Sequence, residues 1–136
     1  MMMMMMMMMM MMMMMISTTV DVHLIVISEH IPLHLPPNVF NWIPQNDLLA
    51  HKRTKVFISH TGHNSLYESA FYGVPLVCIP LFVDQFSNCL QAQSVGIAVG
   101  VDIKRVSEEE LYQKIQLVLN TPRYVCCMPF WRHMFA

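Results

Sequence analysis

KVFISHTGHNSLYESAFYGVPLVCI, residues 55–79, decides the fold. Lys55–Ser59 is a short run centred on Val56, Phe57 and Ile58, the β-branched and aromatic composition of a strand. Pro75–Ile79 is a continuous apolar run, which is how a strand covered on both faces reads. Between the two, a glycine-containing turn leads into a helix expected over Asn64–Tyr72. Gly73 closes it, at the position where a left-handed glycine commonly ends a helix. A strand, a helix and a strand in such a short span imply parallel neighbours, because parallel strands need a crossover connection.

The same alternation continues outward. Upstream, Val22–Ile27 (VHLIVI) reads as another buried strand, and Ser28–Pro37, with Pro32, Pro36 and Pro37, as a connecting loop. Val39 and Phe40 suggest a brief strand. Asn46–His51 suggests one or two helical turns with Leu48 and Leu49 facing inward. Downstream, Asp84–Ser94 is expected to be helical, with Phe86 and Leu90 four apart on one face, and Ile97–Val101 to be a strand. Ser107 with Glu110 three residues later forms a capping box. Behind it, Leu111, Ile115, Val118 and Leu119 mark one apolar stripe, Glu110 and Lys114 make an i,i+4 pair, and Thr121-Pro122 stops the helix. The expected class is α/β, a doubly wound parallel sheet with helices on both faces.

Length and composition narrow the alternatives. The chain has 136 residues, enough for one domain and too few for two complete ones. Most of its 17 methionines form the unbroken run Met1–Met15. That run has neither the basic region nor the small-residue cleavage site of a secretory signal. With Ile16 it also stops short of the roughly 20 apolar residues of a membrane span. It is read as an artefactual run, disordered or a frayed helix, outside the fold. The net charge of −1 and a single basic cluster, Lys52, Arg53 and Lys55, point to a solvated loop and give no nucleic-acid stripe. Cys78, Cys89, Cys126 and Cys127 make no CxxC pair, so neither a zinc ribbon nor a thioredoxin-type site is indicated. Cys78, inside an apolar strand, reads as a buried free thiol.

In open parallel sheets, ligands bind outside the carboxyl ends of the strands. Two segments follow strands here, Ser59–Ser65 and Pro80–Gln85. The first places His60, Thr61, Gly62, His63, Asn64 and Ser65 at a helix start, where free N–H groups and the helix dipole favour an anion such as phosphate. It matches neither GxGxxG nor GxxxxGK[ST], so it is neither a dinucleotide fingerprint nor a P-loop. Glu68, one turn further on, could accept two hydroxyls such as those of a ribose, although Ser65-x-x-Glu68 also reads as a capping box. His60 and His63, three apart with no Cys or Asp nearby, are not read as metal ligands. In the second segment, Asp84 beside Gln85 pairs an acceptor-only carboxylate with an amide that donates and accepts, which suits a polyhydroxylated ligand such as a sugar. Asp84 alternatively caps its helix. Trp42, before Pro44 and Gln45, could stack on a base or fill the core.

Taken in order, Trp42-Ile-Pro-Gln45-Asn-Asp-Leu-Leu-Ala-His51, Phe57-Ile-Ser-His60-Thr-Gly62-His-Asn64-Ser65-Leu-Tyr-Glu68, Gly73-Val-Pro75 and Pro80-Leu-Phe-Val-Asp84-Gln85 closely resemble the signature of the UDP-glycosyltransferase family, which includes the UDP-glucuronosyltransferases. The resemblance runs from about Val39 to Tyr124. It implies a GT-B architecture of two facing doubly wound domains, with residues 16–124 as an incomplete C-terminal, donor-binding domain and residues 125–136 as a divergent tail. Met1–Met15 then stands where the first strand and helix of that domain are expected.

The resemblance also implies roles. Trp42 matches the tryptophan that stacks on uracil, with Gln45 beside the uridine. His60 matches the diphosphate contact, and Asn64 and Ser65, beyond Gly62, match phosphate contacts. Glu68 matches the glutamate on the ribose hydroxyls, and Asp84 and Gln85 the pair that reads the sugar. The donor is a UDP-sugar, with no cofactor and no metal. In the family, a histidine of the N-terminal domain deprotonates a small lipophilic acceptor, and the sugar transfers with inversion. Nothing in this chain matches that base, so no catalytic residue is assigned beyond the assisting contact of His60, and the chain is expected to be inactive alone. Two alternatives stay open: a UDP-sugar-binding module working with a separate acceptor-domain partner chain, and a truncated product that does not fold. Full-length members are expected at the endoplasmic reticulum membrane. This chain shows no signal peptide or membrane helix, so its own location stays open.

Overall fold

The computed structural model describes residues 26–27, 39–40 and 43–126. Met1–Met15, the whole loop Ser28–Pro37, Trp42 and residues 127–136 lie outside them. The chain divides into two compact units, Met1–Gln45 and Asn46–Ala136. In the first, β1 (Val26–Ile27) pairs in parallel with β2 (Val39–Phe40), in the register Val26 to Val39 and Ile27 to Phe40. Both fall within segments expected to be strands.

The second unit holds a three-stranded parallel sheet of β3 (Phe57–Ser59), β4 (Leu76–Cys78) and β5 (Ala98–Gly100), adjacent in that order. Helix α1 (Gln45–Ala50) leads in, α2 (His63–Tyr72) joins β3 to β4, and α3 (Val83–Ser94) joins β4 to β5. Two successive crossovers of one hand place both helices on one face of the sheet. There Leu66 and Ala70 of α2 and Cys89 and Ala92 of α3 pack on Leu76, Cys78 and Ala98 in one cluster. Alternation along a strand turns the buried Val77 and Val99 to the opposite face. That face is covered by α4 (Glu108–Asn120), which packs on β4 and β5 through Leu111, Ile115 and Val118. Helices on both faces of a parallel sheet are the α/β arrangement the sequence implies.

Local signals account for several ends. Gly73 ends α2 in the left-handed region at φ 73°, with its N–H donating to the Ala70 carbonyl. The Ser107 hydroxyl accepts from the Glu110 N–H at 3.1 Å, so Ser107 is the N-cap of α4 and makes its half of the expected capping box. Helix α4 stops at Asn120, and Pro122 opens the short α5 (Pro122–Cys126) as a first-turn proline.

Two apolar faces differ from expectation. Phe86 and Leu90 are 51% and 66% exposed, and α3 instead buries Asn88, Cys89 and Ala92. Small side chains let α3 lie close against α2 and β5, and the larger pair is turned outward. Leu119 is likewise exposed, and the stripe of α4 is completed by Leu111, Ile115 and Val118 alone. Among the described residues, no helix is long and apolar enough to cross a membrane.

Candidate functional site

The register of β3 on β4 pairs Ser59 with Cys78, and the Ile79 N–H donates to the Ser59 carbonyl at 2.8 Å. Parallel pairing thus brings the two strand ends side by side, and the segments that follow them open on the same edge of the sheet.

The first segment is wound tightly. Thr61 is completely buried and adopts φ 67°, a left-handed conformation that a β-branched residue rarely holds. Hydrogen bonds fix it there. Its N–H donates to the Ser59 hydroxyl at 3.1 Å, and its carbonyl accepts from the Asn88 amide at 3.1 Å. The turn delivers the chain to Gly62, which caps α2 with φ −61° and ψ 150°. These angles suit any residue, so what a side chain here would disturb is the place of the His60 ring. A Cβ at Gly62 would stand 2.7 Å from Nε2 of His60, whose ring folds over the backbone there. The exposed His60 imidazole therefore lies against the start of α2, where the first-turn N–H groups of His63, Asn64 and Ser65 run along the helix axis.

Glycine has no side chain to cap with, so the N-cap residue itself makes no side-chain cap bond. Helix α2 begins at His63, so Ser65 is its third residue and not its N-cap. The alternative reading of Ser65 and Glu68 as a capping box does not hold. Glu68 is half-buried and lines an open cavity of about 580 Å³ with Asn46, Tyr67, Phe71 and Tyr72. It lies five residues past His63, or roughly 7.5 Å along the axis at 1.5 Å per residue. His63 packs against Tyr67 with its ring tilted by 57° and the centroids 5.0 Å apart.

The second segment is built differently. Helix α3 begins at Val83 with Phe82 as its N-cap, so Asp84 is the second helical residue and does not cap. Gln85 does that work, its Oε1 accepting from the N–H groups of Leu81 at 2.8 Å and Phe82 at 3.0 Å. The Gln85 amide NH2 is the part of that side chain left to offer a ligand. Asp84 is exposed, and its Oδ2 accepts from the Asn88 amide at 3.4 Å. Residues 56–103 contain neither Lys nor Arg. An anion seated between the two segments would be met by backbone N–H groups, the α2 dipole and the histidines.

Beneath the site, the buried thiols of Cys78 and Cys89 form a pair. Cys78 is pushed well above the ordinary thiol range, first because it donates a hydrogen bond to Cys89 and then by burial, with a Thr61 contact pulling the other way. Cys89, as acceptor, is lowered. Cys78 is thus held neutral, as expected of a buried structural thiol.

The structure brings together His60, Gly62, Asn64, Ser65, Glu68, Asp84 and Gln85 on two neighbouring segments of the second unit. Gln45 opens α1 and belongs to the first unit, and Trp42 is outside the described residues. Asn88 escaped the reading of the sequence. Its signal was there: an amide four residues after Asp84, on the helix face that also carries Cys89 and Ala92.

The sequence profile described as UDP-glucoronosyl and UDP-glucosyl transferase matches residues 9–128. The chain belongs to this family. Its members are glycosyl-transferring enzymes, and relatives from two mammals show the relationship. UDP-glucuronosyltransferase 2C1 of Oryctolagus cuniculus is 46% identical over 95 residues, covering 68% of this chain and 19% of that protein. UDP-glucuronosyltransferase 2B17 of Homo sapiens is 44% identical over 86 residues, covering 63% of this chain and 16% of that protein. The chain therefore spans less than a fifth of the length of the curated relatives it matches.

Among solved structures, the glycotransferase of kitacinnamycin superposes with a TM-score of 0.72 at 28% identity, over 82% of this chain and 30% of that one. The spinosyn forosaminyltransferase SpnP reaches a TM-score of 0.76 at 20% identity, over 88% of this chain and 32% of that one, a likeness of fold. Both are GT-B glycosyltransferases. The α/β architecture of this family member matches part of that fold.

Proposed function

We propose that this chain carries the donor half of a UDP-glycosyltransferase site, binding a UDP-sugar across the two strand-end segments. The observation that carries the reading is the position of Glu68, in an open cavity about a turn and a half from a helix start against which His60 is packed. A nucleoside diphosphate needs this order of groups. N–H donors and His60 meet the diphosphate, and a carboxylate within a ribose length accepts the two hydroxyls. Asp84 and the Gln85 amide then read the sugar on the far side. Trp42 and Gln45 are assigned to the uracil by resemblance to the family.

In transfer, the α2 N-terminus and His60 stabilise charge on the departing diphosphate. Preorganised donors are most effective where negative charge develops. No metal is required for that role. The acceptor, a small lipophilic alcohol or acid, needs a general base within hydrogen-bond reach, and transfer then inverts the anomeric carbon. The donor-side residues supply no such base. The 136-residue chain alone is therefore expected to transfer no sugar, and turnover by the purified chain would overturn that expectation.

Donor binding is tested by linkage. UDP should raise the thermal midpoint, with a stabilisation that grows as the logarithm of one plus its concentration over Kd. Glu68→Ala should cost about 1–3 kcal/mol of UDP affinity, the usual loss when hydroxyl contacts to a charged acceptor go, and should leave inorganic pyrophosphate binding intact. Equal UDP affinity in both proteins would remove the ribose assignment.

A further inference from the structure

Asn88 touches both strand-end segments at once. It is 5% exposed, in the middle of α3, and burying an amide is costly unless its donors are used. The nitrogen carries two protons and has two partners, the Thr61 carbonyl at 3.1 Å and the Asp84 carboxylate at 3.4 Å. The first holds a buried β-branched residue in the left-handed region, at φ 67°. Left to itself, a threonine pays for that conformation, so the backbone persists only where neighbours over-determine it. The second aims a carboxylate that is otherwise exposed at the start of α3.

We propose that Asn88 is a positioning residue that clamps the two halves of the donor site together: its amide holds Thr61 left-handed, so that Gly62 and the first turn of α2 face the diphosphate, and it holds Asp84 towards the sugar. Diphosphate recognition and sugar recognition are then coupled through one side chain that touches neither. The proposal rests on the donor-site reading, but its first half is a statement about backbone conformation and can be tested without any nucleotide.

The decisive set is Asn88→Ala, Asn88→Asp, Thr61→Gly and the double variant Asn88→Ala/Thr61→Gly, made in the full chain. Asn88→Asp keeps the side-chain volume and removes the donor, so the set survives if the alanine variant folds poorly. Without nucleotide, the Thr61 Cα and Cβ chemical shifts should leave their left-handed values in the Asn88 variants, and amide exchange at residues 61–64 should accelerate. With ligand, calorimetry should show UDP affinity at least tenfold weaker in Asn88→Ala. The preference for UDP-glucose over UDP should shrink to that of Asp84→Ala.

Glycine adopts the left-handed region at no steric cost. Thr61→Gly should therefore restore UDP affinity in the double variant to within about threefold of wild type, while the sugar preference stays lost because Asp84 is still unheld. A general loss of structure would not split the two readouts in this way. Unchanged Thr61 shifts in the Asn88 variants, or failure of Thr61→Gly to restore UDP binding, would overturn the proposal. A wild-type chain that binds neither UDP nor UDP-glucose would overturn the donor reading, and the Thr61 shifts would still decide the clamp.

Discussion

The two strand-end segments have the same topology and opposite chemistry. After β3, the chain makes a strained turn through Thr61 and starts α2 at a glycine that has no side chain to cap with. After β4, it runs through Pro80 and starts α3 with its own cap, Gln85 folded back onto Leu81 and Phe82. The first helix start has an N-cap without a side chain, whereas at the second Gln85 ties down the N–H groups of Leu81 and Phe82 just before the helix and Asp84 is presented as an exposed side chain. A site that must hold both a phosphate and a sugar needs one of each. Backbone N–H groups suit a delocalised anion, and an acceptor carboxylate suits hydroxyls.

The largest expected effect breaks the symmetry at the two N-cap positions. Gly62→Val places carbon where Nε2 of His60 now sits, 2.7 Å from the Cβ position. Displacing the imidazole should cost about 1.5–3 kcal/mol of UDP affinity, the usual worth of a hydrogen bond to a charged group, or roughly ten- to hundredfold in Kd. Phe82→Ala, at the matching position of α3, removes a side chain that is half exposed and should leave UDP affinity within about twofold. Equal losses in the two variants, measured by calorimetry, would show that the starts of α2 and α3 do not differ as described.

How much of this was legible in the sequence follows the same division. Elements whose cause is local were read correctly. Gly73 ends α2, Ser107 caps α4, and β3, β4 and β5 fall inside the expected apolar runs. The two site helices were read with their starts one residue late, and both caps were looked for in the wrong place, at Ser65 and Asp84. The reason is physical. Cap motifs are recognised by side chains that bond locally, whereas the start of α2 is set by Thr61, whose conformation depends on Asn88, twenty-seven residues away. The exposed Phe86 and Leu90 show the same limit. Hydrophobicity predicts a buried face until close packing of small residues selects another one. The order of the candidate site residues came from the resemblance, which could not supply the His60 ring's place over Gly62 or the bridging amide.

The smallest expected effect dissects Gln85, where fold and recognition share one amide. Its Oε1 caps α3, and its NH2 is what remains for a sugar. Gln85→Ala removes both, so it should lose about 1 kcal/mol of stability, as cap deletions do. In a domain of this size that lowers the thermal midpoint by roughly 4–8 °C. Gln85→Glu keeps an acceptor for the Leu81 and Phe82 N–H groups and adds negative charge at the first turn of a helix, which the dipole favours. It should therefore keep the wild-type midpoint and still lose the preference for UDP-glucose over UDP, because a carboxylate donates nothing to a hydroxyl oxygen. If Gln85→Glu keeps the sugar preference, the second segment reads the sugar through Asp84 alone. The contrast between a segment that offers backbone and one that offers side chains would then rest on a single carboxylate.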